Sequence, residues 1–221
     1  MERHFDDELN HLKEKMLTMA DSAQAMIGLA VKALTERNEA RVEEVLTLEG
    51  KVNHLEIEIE EEVLRLLALR QPAAKDLRLL TALLKINNYL ERVAYQACNI
   101  AETVRFILKE PPLKSSINIS HMAQVAQQMI KNSIEAFVRH DAALAKRVCE
   151  QDDEVDQLND QIFRVLLPHM MEDPKSITRA VDLILISRNL ERIADHATNI
   201  GEEVVFIEEG RNIKHHLEEP Q

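Results

Sequence analysis

Thirteen residues near the middle of the chain recur 100 positions further on: Leu90-Glu91-Arg92-Val93-Ala94-Tyr95-Gln96-Ala97-Cys98-Asn99-Ile100-Ala101-Glu102 against Leu190-Glu191-Arg192-Ile193-Ala194-Asp195-His196-Ala197-Thr198-Asn199-Ile200-Gly201-Glu202. Over 88–107 and 188–207, 11 of 20 positions are identical. A shared apolar period explains matching Leu and Ala, but not Glu-Arg, Asn and Glu in phase. The chain is therefore an internal duplication, and any fold it adopts must be built from two similar units.

Each unit reads as three helices. Leu9, Leu12, Met16, Met19, Ala23, Met26, Ala30 and Ala33 recur at spacings of three and four, the period of an amphipathic helix ending near Arg37-Asn38. A second seam runs Val45, Leu48, Val52, Leu55, Ile59, Val63, Leu66 and stops at Gln71-Pro72; a third runs from Leu80 to Leu108. After Pro111-Pro112-Leu113-Lys114-Ser115-Ser116, helices are predicted at about Ile119 to Arg139, at Asp141 to Met171 with Asp141 as cap, and from Pro174 to about Glu209. The expected fold is all-α: two tandem three-helix bundles, over 1–112 and 113–210, with a tail at 211–221. Met16, Met19 and Met26 read as core, as do Phe106, Phe137, Phe163 and Phe206.

Composition closes off other classes. Four glycines and six prolines are too few turn formers for a chain of many strands. The net charge of -12 opposes contact with phosphate backbones, so nucleic acid is not an expected partner. Cys98 and Cys149 form no Cys-x-x-Cys pattern and read as small buried residues. The charged start and the absence of an 18-residue apolar run predict a cytoplasmic chain with no transmembrane segment.

Chemistry enters beside the small-residue seam of the repeated helix. Glu191, Asp195, Asn199 and Glu202 fall on one face, and the fifth helix offers Asp152 and Asp156 one turn apart. Facing acidic pairs suit a cation such as Mg, Mn, Fe or Zn. With 39 acidic residues in 221, such pairs also arise as ordinary solvated faces, and their recurrence in a duplicated segment is what singles them out. Asp152, Asp156, Glu191 and Asp195 are the primary candidate ligands, with Glu49, Glu91 and Glu202 secondary. The first copy is less complete, because Asn53 and Tyr95 stand where the second has Asp156 and Asp195. No catalytic and no organic-cofactor residues are assigned. Gly-x-x-x-x-Gly-Lys, Gly-x-Ser-x-Gly and His-Glu-x-x-His are all absent. Arg92 and Arg192 read as ion-pair partners, His121 and His140 as helix-end residues, and His215-His216 as part of a polar tail.

Two copies of Leu-Glu-Arg-(Val/Ile)-Ala-x-x-Ala-x-Asn-Ile-(Ala/Gly)-Glu, each after a Glu-rich helix with a pair such as Asp152-x-x-x-Asp156, resemble the PhoU family of phosphate-transport regulators. The resemblance runs from the first helix to about Ile207 and is most specific at 189–200. It implies a regulator that limits phosphate uptake and restrains the phosphate-starvation response. The implied partners are the phosphate ABC transporter's ATPase subunit and the phosphate-sensor histidine kinase, with peripheral placement at the inner membrane through them; separately, an apolar seam left over from either bundle would favour a homodimer. It also implies iron or zinc on (Glu/Asp)-x-x-x-Asp pairs, here Asp152 with Asp156 and Glu191 with Asp195. The rival reading is a ferritin-like di-iron oxidase, whose Glu-x-x-His ligand spacing occurs here only at Glu8-x-x-His11. A structural coiled-coil adaptor explains the heptads but not the repeated Glu-Arg and Asn.

Overall fold

The computed structural model describes residues 2–70, 72–113 and 117–214, and all regular structure among them is helical. The helices are α1 (Glu2–Thr35), α2 (Ala40–Arg70), α3 (Ala74–Ile107), α4 (Ile119–Arg139), α5 (Ala142–Glu150), α6 (Asp152–Glu172) and α7 (Ile177–Glu209). Gln71, Lys114 to Ser116 and His215-His216 fall outside the described residues.

The expected fifth helix is divided. At Gln151 the backbone N–H is shared between Arg147 O and Val148 O, and α6 starts at Asp152 with Asp152, Asp153 and Glu154 in its first turn. Acids favour a helix N-terminus, where they face the positive end of the helix dipole, so the sequence that supplies the candidate ligands also supplies a restart. The predicted cap on α5 is present, with Asp141 Oδ1 accepting from Leu144 N at 2.8 Å. A 3₁₀ turn at Pro174–Ser176 leads into α7. α1 stops where Arg37 takes a left-handed conformation (φ 51°), and its guanidinium donates to Leu108 O and Glu110 O, holding the end of α3 against the end of α1.

Helices α1, α2 and α3 pack around one another, and α4, α5 and α6 pack on α7. The two sets meet along α3 and α7 and again between α1 and α4. One continuous core runs through both, with Met16, Met19, Met26, Leu80, Leu90, Ala97, Leu190 and Ala197 fully or almost fully buried. The small seam on α7 permits close approach: a Cβ on Gly201 would stand 2.9 Å from Ala145 O of α5.

The aromatic residues depart from expectation. Phe137 is buried, but Phe106 is 61% and Phe163 47% exposed. Phe163 sits one residue past Ile162 and so off the inward line Val155, Ile162, Leu166. Phe106 lies in the last turn of α3, with Lys109 Nζ over its ring at 5.1 Å. Among the described residues no helix is long and apolar enough to cross a membrane.

Candidate functional site

Asp152 and Asp156 open α6, Glu191 and Asp195 lie halfway along α7, and the two helices pack together. The structure brings the four carboxylates within reach of one another's fields. Asp152 is held above the usual carboxylate range, first by burial and then by the charge of Asp156, with Glu191 adding to it. Asp195 is pushed up to about 6, again first by desolvation and then by Asp152, Glu191 and Asp156. Crowded carboxylates of this kind hold protons until a cation takes their place.

Neutral groups orient part of the cluster. Asn159 Nδ2 donates to Glu191 Oε2 at 2.8 Å, and Ser187 Oγ donates to Asn159 Oδ1 at 2.7 Å. Asn199 leaves the expected stripe, because its amide donates to the main-chain oxygen of Asp195 at 2.8 Å. Glu202 lies towards Cys149, whose thiol is pushed up to about 11 by burial, then by Glu202 and Asp152.

As the side chains stand, no three His, Cys, Asp or Glu among the described residues are grouped so as to hold a metal ion. The donors nevertheless fit a cation in kind. The Thr198 hydroxyl draws Asp152 partly back down, at a geometry short of a full hydrogen bond. Thr198 Oγ1 thus remains buried beside Asp152 without a full hydrogen bond, and Gln151 Oε1, on the residue before Asp152, is also buried and unpaired. Anionic and unpaired neutral oxygens together suit a hard, oxygen-ligated ion, around which the acids would close.

The first copy is arranged differently. Glu49 lies by Cys98, whose thiol is raised first by burial and then by this carboxylate. The field of Glu91 falls on Glu56, which is itself raised by burial, then by Glu60 and Glu91. Tyr95 points outward, 46% exposed. The sequence reading missed Glu56, Asn159 and Ser187. Their signal was an offset of 103 between the second and fifth helices, which aligns Val45, Val52, Leu55, Ile59 and Val63 with Val148, Val155, Leu158, Ile162 and Leu166, and therefore Glu56 with Asn159. The residue 100 before Ser187 plays the matching part: Asn87 Nδ2 donates to Glu56 O at 2.9 Å.

Glu8 is no inward ligand. Arg65 and Arg70 hold it at 3.0 and 2.8 Å, and burial notwithstanding its carboxyl sits below the usual range because of them. His11 pairs only loosely, at 3.9 Å, with Glu14.

A second polar cluster joins α3 to α7. Glu203, 1% exposed, meets Lys85 at 3.1 Å and Lys214 at 2.9 Å. Lys214 also donates to Tyr89 Oη at 3.3 Å, and the Tyr89 ring stacks on His196 with centroids 6.1 Å apart. His196 is lowered to about 4, first by burial and then by Arg92 and Arg192, and its Nδ1 is buried without a partner.

Known proteins resemble this chain in sequence and in fold. The PhoU domain profile matches twice, at residues 16–104 and 119–204. The chain is 40% identical over 213 residues to the phosphate-specific transport system accessory protein PhoU homolog of Aquifex aeolicus, covering 96% of each chain. It superposes on the crystal structure of PhoU from Pseudomonas aeruginosa with a TM-score of 0.91 at 34% identity, covering 94% of this chain and 100% of that one. The phosphate transport system regulatory protein PhoU from Streptococcus pneumoniae gives a TM-score of 0.87 at 28% identity, over 95% and 99% of the two chains. With both repeats matched and the fold shared from end to end, the chain belongs to the PhoU family.

Proposed function

We propose that this chain is a phosphate-transport accessory protein that limits phosphate uptake and restrains the phosphate-starvation response when phosphate is plentiful. The observation that carries this reading is the match over 96% of both chains to a relative named as a phosphate-specific transport system accessory protein. The chain works by contact, presenting long helical faces to the transporter's ATPase subunit and to the phosphate-sensor histidine kinase on the cytoplasmic side of the membrane.

Asp152, Asp156, Glu191 and Asp195 would hold a divalent cation in the second half, with Asn159 keeping Glu191 in position. The cation supplies positive charge that neutralises the crowded carboxylates and ties α6 to α7. The raised carboxyls of Asp152 and Asp195 support this assignment.

The deciding experiment removes the gene and measures a phosphate-starvation reporter together with phosphate uptake in phosphate-replete cells. Both rise if the reading is right, and the wild-type gene restores them. An unchanged reporter and unchanged uptake overturn it.

A further inference from the structure

Helices α6 and α7 carry a ladder of exposed apolar residues. Asn159 meets both Ser187 and Glu191, and the Thr198 hydroxyl acts on Asp152, so the two helices run antiparallel with Asn159 level with the turn from Ser187 to Glu191. Carried along the pair, that register sets Phe163 level with Leu185, Leu167 with Val181 and Met171 with Ile177. All six are exposed, from 42% at Val181 to 78% at Met171. The buried residues of the same helices, Ile162 and Leu166 on α6 and Ile186 and Leu190 on α7, turn the other way. The two exposed lines therefore share the outer flank of the pair.

The duplication shows that this flank is no ordinary solvated face. The matching positions of the first repeat are Glu60, Leu64 and Ala68 on α2 and Leu77, Thr81 and Lys85 on α3, of which four are charged, polar or small. The fold tolerates a mixed flank there, whereas the second repeat is apolar at all six. Taking about 200 Å² for a large side chain standing bare, the six expose about 500 Å² together. Isolated exposed apolar residues are ordinary, but a joined patch of this size lies near the upper end of what a monomer shows. It also matches what a second copy would cover: a standard interface buries about 800 Å² per partner, and in homodimers about 65% of it is apolar.

We propose that this flank joins two copies of the chain, α6 of each lying over α7 of the other about a two-fold axis parallel to the helices. The face is complementary to itself in that arrangement. Because the rungs are level, Phe163 stands over Leu185, Leu167 over Val181 and Met171 over Ile177 of the second copy, and each contact occurs twice. The charged ends match as well. Asp160 is level with Arg188 and Glu172 with Lys175, all four exposed, so each acid stands over a base of the second copy. The link of Asp160 to Arg164 within its own helix is exposed and weak by comparison. Every neighbouring pair among the four helices is then antiparallel, as in an up-down-up-down bundle. The contact ends at Asp160 and Arg188. Beyond them lie Asp156, Glu191 and Asp195, with Arg192 already acting on Asp195, and that end stays open to a cation. The surface stands on its own geometry and does not rest on the function proposed above.

Sedimentation equilibrium of the purified chain, from micromolar to tenths of millimolar concentration, tests this. The native chain should approach twice its 25.4 kDa mass. Val181→Asp sets two carboxylates against apolar rungs in each dimer and should weaken association at least about a hundredfold. Asp160→Lys brings a base over Arg188, and Arg188→Glu brings an acid over Asp160, so each alone should weaken association about tenfold at low salt and less as salt rises. An equimolar mixture of these two single variants sets the introduced Lys against the introduced Glu at one contact and Arg188 against Asp160 at the other. The mixture should associate about as tightly as the native chain, a recovery that misfolded variants could not give. A native chain that stays monomeric overturns the proposal, whether another protein or a lipid surface then covers the flank. Dimers indifferent to Val181→Asp put the contact elsewhere, and a mixture no tighter than its components shows that α6 does not lie over α7; either result overturns it.

Discussion

Lys85 Nζ lies 3.1 Å from each carboxylate oxygen of Glu203, so a residue of the first repeat neutralises a buried acid of the second. Lys85 is half-exposed, while Glu203 is 1% exposed and shares its charge with Lys214 at 2.9 Å. Two cations on one buried carboxylate make each separately dispensable. Lys85→Ala alone should cost about 1 kcal/mol or less, since Lys214 remains and the lost lysine was largely hydrated. Lys85→Ala with Lys214→Ala leaves the carboxylate buried and unpaired and should cost about 3–5 kcal/mol. Urea denaturation of the two variants checks this, and additive small losses would show that Glu203 reaches water.

The Gly201 backbone comes so close to α5 that a Cβ would stand 2.9 Å from Ala145 O and 3.3 Å from Cys149 Sγ. The thiol end can turn away, but the carbonyl belongs to a helix and cannot. Gly201→Ala should therefore lose about 1–3 kcal/mol, although alanine is ordinarily the better helix former. A higher melting temperature in this variant would mean that α5 shifts freely along α7.

The fold was legible in the sequence because each helix repeats its apolar residues over many turns, and because the duplication let one half check the other. What was not legible depends on rotation by one residue. Phe106 and Phe163 are large and apolar, yet each sits one step off its buried line, and composition cannot see that step. The restart at Gln151 was hidden for a related reason: Val148 and Val155 keep the apolar spacing across the break.

At the candidate site, the acids of the second copy were legible from their spacing, and the fold brings Asp152, Asp156, Glu191 and Asp195 together electrostatically. Their neutral supports were not. Asn159 and Ser187 are polar residues that in sequence resemble any others on a helix edge, and only the packing of α6 on α7 shows that they hold Glu191. In the first copy spacing does not show the neighbours of the acids: the carboxylate of Glu49 lies by Cys98, and Glu91 pairs with Arg92 while its charge acts on Glu56.

His196 gives the chain an acid-side weakness. Its folded value of about 4 lies below the ordinary 6.5, because burial and the nearby Arg92 and Arg192 disfavour the charged ring. Between these values the unfolded chain takes up a proton that the folded chain does not, so stability falls as pH drops from about 6.5 towards 4. His196→Gln, the residue at the matching place in the first copy, removes that contribution. The native chain should lose more stability between pH 7 and pH 5 than the variant does, as read by urea midpoints. The raised carboxyls of Asp152 and Asp195 act in the opposite direction but are common to both proteins. Identical pH profiles would show that the ring takes up its proton as readily in the fold as in the unfolded chain.

Cation binding should be lopsided between the repeats. In the second copy Asp152, Asp156, Glu191 and Asp195 share one field, with the Thr198 hydroxyl beside Asp152. In the first, Asn53 and Tyr95 replace two of the acids, and Tyr95 is turned to solvent. Glu191→Ala with Asp195→Ala should reduce manganese or zinc binding at least about tenfold, since half of the anionic donors are gone. Glu91→Ala should leave that affinity within about twofold, because its carboxylate lies in the first repeat, beside Arg92 and acting on Glu56. Asn159→Leu should fall between them: it keeps every carboxylate but releases Glu191 from its 2.8 Å hydrogen bond. Calorimetric titration of the metal-free chain measures all three. Equal losses from the first and second repeats would mean that both copies bind alike, and the asymmetric assignment would then fail.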